Sequence, residues 1–380
     1  MERIKIPFNK PHLTGKETDY ILDAVSSGKI SGNGSHTKKC QQFFEEKYHF
    51  KKCLLTTSCT DALEMAAILT DIEQGDEVIL PSFTFASSAT AFVLRGAKLV
   101  FADSGDESPN MDAQRIESLI TPKTKVIVVV HYAGIACDMG VIMNIAERHS
   151  IFVVEDAAQS IDSYYQDKPL GGIGHLGAFS FHETKNVISG EGGMLVINDE
   201  RFINRAEVIW EKGTNRSAFF RGEIDKYDWV DIGSSFLPSE VIAAFLYAQL
   251  ENLEDIQNRR MQIWNLYQAK LSPVCLEKNI GLPHIPSYAS NNAHIFYLIM
   301  PNQASRERLI DGLGKHNILA VFHYQSLHKS DFYIGKGDDR VLANSDRYTN
   351  CLVRLPVYYS LSESEQNFVI EKLIGIIKGL

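Results

Sequence analysis

Between residues 76 and 200 the chain alternates short apolar runs with longer apolar or amphipathic stretches. The runs fall at 78–80, 98–102, 126–130, 151–154, 178–181 and 194–197. They are rich in β-branched residues and close to continuous, which predicts strands of a sheet buried on both faces. Residues 60–69 are apolar almost all round and predict a buried helix. In 140–149, Val141, Ile142, Ile145 and Ala146 are spaced for one helical face. Alternating strands and helices imply a mostly parallel α/β sheet, whose sites lie beyond the carboxyl ends of the strands. Asp156 and the pair His131–Tyr132 stand at such ends.

From Pro238 the pattern changes. Residues 239–271 predict one or two long helices. A proline-containing stretch (282–286), a strand (293–300), a helix (305–316), strands at 318–322 and 351–355, and a last helix at 362–377 follow. The expectation is a large α/β domain over 1–250 and a smaller α+β domain over 251–380, a division that suits 380 residues.

Composition narrows the function classes. With 44% hydrophobic and 22% charged residues the chain is ordinary globular material. A net charge of −9 offers no basic field for nucleic acid, so an anionic substrate must be held by local groups. Cys40, Cys53, Cys59, Cys137, Cys275 and Cys351 form no C-x-x-C pair, which fits a reducing compartment. Residues 1–7 lack the apolar core of a signal peptide, and no apolar run is long enough to span a membrane. The expectation is a cytoplasmic protein without membrane contact. The twelve histidines show no H-E-x-x-H spacing and there is no G-x-S-x-G, so neither a catalytic metal nor a serine hydrolase is expected.

The chemistry concentrates around Lys185. It lies in Ser180-Phe181-His182-Glu183-Thr184-Lys185-Asn186, closed off by Gly190-Glu191-Gly192-Gly193. A lysine between apolar strands, beside glycines that permit close backbone approach, is placed for partial burial, which lowers its pKa toward a nucleophilic amine. Asp156, 29 residues upstream, ends an apolar run. A helix cap would account for Asp156 by itself. Together, an amine and a buried carboxylate are what pyridoxal 5′-phosphate (PLP) chemistry needs. The amine forms a Schiff base with the cofactor aldehyde, and the carboxylate keeps the pyridine nitrogen protonated. Gln159, three residues on, could reach the ring oxygen. Thr56-Thr57-Ser58-Cys59-Thr60 opens the buried helix, offering either ordinary capping or a site for the cofactor phosphate. Phe85 could stack on a flat ring or belong to the core. Residues 211–216, with Arg221, Lys226, Tyr227 and Trp229 behind, interleave basic and aromatic groups, as a solvated loop or as a nucleotide contact.

These motifs together resemble the DegT/DnrJ/StrS family of PLP-dependent sugar aminotransferases, over nearly the full chain. The resemblance implies the fold-type I, aspartate-aminotransferase-like architecture. It implies Lys185 as the residue joined to the cofactor, Asp156 at the pyridinium, Gln159 at the ring oxygen, Ser58, Cys59, Thr60 and Ser180 at the phosphate, and Phe85 over the ring. Ser235 stands where many members carry an asparagine that reaches the phosphate from a partner subunit. Tyr324 and His328, from Tyr-x-x-Pro-Leu-His with serine for proline, become substrate-side candidates. So do Lys212 and Arg216, because the 181–186, 211–216 and 231–235 segments resemble the branch acting on dTDP-4-keto-6-deoxyglucose. That branch implies L-glutamate as donor, an amino sugar for surface polysaccharide, and a homodimer with shared active sites. A UDP-linked or 3-keto sugar, and a non-catalytic sensor of the same fold, stand as alternatives. Dehydrating relatives carry histidine at the lysine position, so Lys185 points to amination.

Overall fold

The computed structural model describes residues 6–336 and 340–380. Met1 to Lys5, which carry most of the segment read above for a signal-peptide core, lie outside them.

Seven strands form the main sheet: β1 (Lys52–Thr56), β2 (Glu77–Pro81), β3 (Lys98–Ala102), β4 (Thr124–Val130), β5 (Phe152–Asp156), β8 (Leu176–Ser180) and β9 (Gly193–Ile197), with a two-residue hairpin of β6 (Tyr164–Tyr165) and β7 (Lys168–Pro169) set apart. The order is β1-β9-β8-β5-β4-β2-β3. Pairing is parallel from β3 through β8, and only β9 runs against its neighbours β1 and β8. The sheet is thus mostly parallel, with helices on both faces, as the apolar runs required. Six strands therefore point their carboxyl ends to the same edge.

The helix Cys59–Leu69 fills one face. Its apolar residues pack with Leu54, Val128, Val154, Leu176 and Leu195 in one buried cluster. The opposite face is covered from two sides. Met139–His149 lays Ile142, Ile145 and Ala146 against Ile127, Val129 and Val153. The helices Ser35–Tyr48 and Glu240–Leu250 cover the β1 end.

A second sheet is antiparallel, ordered β10 (Phe296–Ile299), β12 (Leu352–Leu355), β11 (Val321–Phe322). Its apolar cluster draws on Ile6 and on residues from Ile263 to Ile377. The long helical stretch after Pro238 divides into Glu240–Leu250 and Leu253–Glu277. The second continues past 271, through Pro273 to 277. The strands expected at 293–300 and 318–322 are shorter. Before β10, Asn292 and His294 use their polar groups in loop hydrogen bonds instead of a ladder. No helix follows Asp156, so the helix-cap account of it fails and Gln159 sits in a turn. Among the described residues no helix is long and apolar enough to cross a membrane.

Candidate active site

A cavity of about 820 Å³ opens at the carboxyl edge of the main sheet and is closed on its far side by the second sheet. Val130, Asp156 and Ser180, the last residues of β4, β5 and β8, line it together with Lys185. Arg354 of β12 and Val321–Phe322 of β11 face them from the second sheet.

Asp156 is 5% exposed. Its Oδ2 accepts from Ser88 Oγ at 2.6 Å and its Oδ1 from the Ala158 amide at 3.1 Å. Ser88 is itself within 3.0 Å of Thr84 Oγ1. The carboxylate is therefore fixed by its own turn and by the segment after β2. Its chain neighbour Glu155 points the other way into a fully buried pocket. There it meets His131 Nε2 at 2.9 Å and accepts the amides of Gly171, Ile173 and Gly174. Glu155 thus ties the end of β5 to the loop that leads into β8.

The start of the helix Cys59–Leu69 forms a cup. Ser58 adopts an extended backbone and its Oγ accepts from the Asp61 amide at 3.0 Å, so its side chain is the cap. The amides of Cys59 and Thr60, in the first turn, have no helical carbonyl to bond and remain for an anion. Across from them stands Gly193. A methyl group there would lie 2.3 Å from the Cys59 nitrogen, so only glycine lets β9 begin this close. The capping reading of the Thr56–Thr60 segment is met by Ser58, and the amides that follow are left open toward the cavity.

Lys185 is half-buried. Burial lowers its ammonium pKa below the ordinary lysine value, against the opposing influence of Cys59 and Asp156, while Arg354 adds to the lowering. Gln159 Oε1 accepts the Ala133 amide at 2.7 Å, which orients the side-chain amide. Its nitrogen then donates to the Tyr324 hydroxyl at 2.9 Å. Tyr324 stacks on His323, with centroids 3.6 Å apart. Phe85 is 60% exposed at the mouth, so the core alternative fails for it.

The cavity thus brings together Lys185, Asp156, Gln159, Ser58, Cys59, Thr60, Ser180, Phe85 and Tyr324. Four other sequence candidates do not line it. Lys212, Arg216 and Ser235 lie on the exposed 211–235 segment, which folds back on itself through a Glu211–Ser235 bridge. His328 turns its Nδ1 to Ser82 Oγ at 2.7 Å and faces Asp346. Within one chain these four are not placed to touch a ligand on Lys185.

Two further residues, which no sequence motif marks, line the cavity. Arg354 lines the cavity beneath the Phe8 ring, 4.6 Å from its centroid. It donates to the Phe322 carbonyl, its Nε has no partner, and no carboxylate pairs with it among the described residues. His294 also lines the cavity, bonded to Asn186. Neither sits in a motif; each is one basic residue among many until β10 and β12 are folded over the main sheet.

The residues present fit PLP. An open helix start with a glycine cradle suits the phosphate, a fixed carboxylate at the strand edge suits the pyridinium, and a partly desolvated lysine suits the aldehyde.

The DegT/DnrJ/EryC1/StrS aminotransferase family model matches residues 11–374. The spore coat polysaccharide biosynthesis protein SpsC of Bacillus subtilis is 31% identical, over 98% of this chain and 97% of its own. The GDP-perosamine synthase of Escherichia coli O157:H7 is 30% identical, over 97% of each. Among solved structures, Spr1654 of Streptococcus pneumoniae in its PMP form superposes with a TM-score of 0.91, at 25% identity, over 99% of this chain and 100% of that one. Its PLP form superposes with a TM-score of 0.90, at 25% identity, over 98% and 99%. The chain belongs to the DegT/DnrJ/EryC1/StrS aminotransferase family, and pyridoxal 5′-phosphate is its cofactor.

Proposed function

We propose that this aminotransferase moves the amino group of L-glutamate to C4 of dTDP-4-keto-6-deoxy-D-glucose, giving dTDP-4-amino-4,6-dideoxy-D-galactose for surface polysaccharide. The observation that carries amine transfer is Lys185 itself, partly desolvated in a cavity shared with Asp156. The bound cofactor supplies an aldehyde and an electron-accepting ring. Asp156, fixed by Ser88 and Ala158, would hold the proton on the ring nitrogen. Gln159 and Tyr324 would face the ring oxygen, and the Cys59 and Thr60 amides would hold the phosphate.

Lys185 Nζ takes the proton from the α-carbon of glutamate and later returns one to the sugar carbon that receives the amine. Arg354 is a cation lowered in pKa by burial, with an unpartnered Nε and no carboxylate partner among the described residues, which makes it the seat for a carboxylate of the donor. The same residues serve both halves of the cycle.

The chain works as a homodimer in this reading, with Lys212, Arg216 and Ser235 completing the site of the partner subunit. The relatives named GDP-perosamine synthase favour a GDP-linked keto sugar as the second reading. Incubation with glutamate and a panel of dTDP-, UDP- and GDP-keto sugars, with NMR of the product, tests both. Amination of another sugar, with none of the dTDP-4-keto sugar, overturns the first.

A further inference from the structure

Asn186, next to Lys185 in the chain, has its amide orientation set by its partners. Its Nδ2 donates to Gln257 Oε1 at 2.7 Å and to the Asn292 carbonyl at 2.9 Å. Gln257 is held the right way round by its own Nε2, which donates to the same carbonyl. Asn186 Oδ1 is therefore an acceptor, and it lies 2.9 Å from His294 Nδ1. That nitrogen must carry the ring proton, so Nε2 keeps a lone pair.

The backbone fixes the same residue. The His294 amide donates to Asn292 Oδ1 at 3.1 Å, its carbonyl accepts from Arg260 at 2.6 Å, and Asn292 Nδ2 donates to the Gln159 and Ile161 carbonyls. His294 is thus anchored to both Lys185 and Gln159 through short hydrogen-bonded links. It is 6% exposed and that surface lines the cavity.

The surroundings also decide what the free nitrogen can do. Burial, reinforced by Lys185, Arg260 and Arg354, drives its pKa well below the usual histidine value. A ring so reluctant to charge is a poor base. It is a good acceptor of a hydrogen bond from a group that keeps its proton. Glutamate brings carboxylates and an amine to the site. A keto sugar brings a hydroxyl on the carbon beside the ketone, and the ketone carbon must come to Lys185.

We propose that His294 is a specificity-determining residue whose Nε2 accepts the hydrogen bond of the sugar hydroxyl adjacent to the carbonyl being aminated. This deepens the proposed function and rests on the substrate being a keto sugar. A substrate lacking that hydroxyl leaves Nε2 desolvated and unpaired, which is how such a site rejects an analogue.

The test uses the PLP-loaded enzyme, with dTDP-4-keto-6-deoxyglucose and its 3-deoxy analogue as probes. His294→Phe is expected to lower kcat/KM for the sugar about tenfold or more. Release of 2-oxoglutarate in a single turnover with glutamate should fall much less than kcat/KM for the sugar, because that half-reaction uses no hydroxyl. His294→Gln, which places an amide oxygen near Nε2, should recover most of the loss and guards against a folding defect in the Phe variant. The decisive arm is the cycle: removing the hydroxyl should penalise the wild type and leave the Phe variant indifferent. An undiminished penalty in the Phe variant, or an equal fall in the glutamate half-reaction, overturns the role of His294. If the wild type aminates a different keto sugar, the dTDP reading fails and the cycle is read on that sugar. If it aminates none, both fail.

Discussion

At the scale of residues, the site is a set of fixed polar groups around one adaptable amine. Lys185→Ala should abolish the absorbance of the cofactor-bound lysine and lower turnover by about 10²–10⁴-fold; spectrophotometry and release of 2-oxoglutarate check both, and full activity would remove Lys185 from its role. Arg354→Ala should raise KM for glutamate about 30-fold or more, with KM for the sugar much less affected. Steady-state kinetics with each substrate varied separates the two. The histidines make a further prediction. Burial keeps both His294 and His323 neutral when folded, with pKa values well below 6.5. Unfolded, each takes a proton below about pH 6.5, so the unfolded state binds more protons and stability falls as pH drops. Between pH 7.5 and 5.5 the pair should cost up to about 3 kcal/mol, and His294→Gln should remove roughly half of that. Denaturant titrations of the cofactor-free protein at the two pH values measure it. That Lys185, Asp156 and Gln159 would come together in one cavity was legible in the sequence, because each closes or follows an apolar run. Arg354 and His294 were not, because nothing local marks which arginine or histidine the second sheet will turn toward the lysine.

At the scale of elements, the site depends on where strands stop. β5 ends on Asp156, β8 on Ser180, and β9 starts on Gly193 opposite that serine. The antiparallel entry of β9 between β1 and β8 brings Gly193 against the start of the helix Cys59–Leu69. Gly193→Ala should push the helix start or β9 aside, destabilise the fold by about 1–3 kcal/mol and weaken PLP binding. Absorbance titration of the cofactor-free protein reads the affinity, and an unchanged dissociation constant would show that the cup tolerates the shift. The apolar runs at 78–80, 98–102 and 126–130 lie inside β2, β3 and β4 because strands buried on both faces need little else. β1 escaped that pattern, since Lys52-Cys53-Leu54-Leu55-Thr56 offers only a short apolar core. The helix Ser35–Tyr48 escaped too; its buried set includes His36, Thr37 and Gln41, so its inward face is not apolar in sequence. Glu240, itself buried, accepts the amides of Gly34, His36 and Thr37 from two hundred residues away, a cap that no local signature reveals.

At the scale of the molecule, strand order and the closing of one sheet over the other come from long-range packing. A sequence read in short windows carries neither. The same scale decides what the 211–235 segment is for. It exposes Phe220, Tyr227, Trp229, Val230 and Ile232, with Trp229 76% accessible, and it carries Lys212, Arg216 and Ser235 away from the cavity of its own chain. Apolar exposure of this kind, beside basic groups that line no part of their own chain's cavity although Arg216 pairs with Glu211 within the segment, is expected to be covered by a second copy of the chain. Sedimentation should then give about twice the 42.6 kDa of one chain. Sharing of sites is a stronger claim and has its own test. Lys185→Ala and the double variant Lys212→Glu/Arg216→Glu should each be inactive. Unfolded together and refolded as a mixture, half of the dimers pair one chain of each kind. If a site takes its lysine from one chain and its loop from the other, each hybrid has one intact site. The mixture then recovers about a quarter of wild-type turnover. If each chain builds its own site, no hybrid site is intact and the mixture stays inactive, so the assay separates a shared site from a merely dimeric protein.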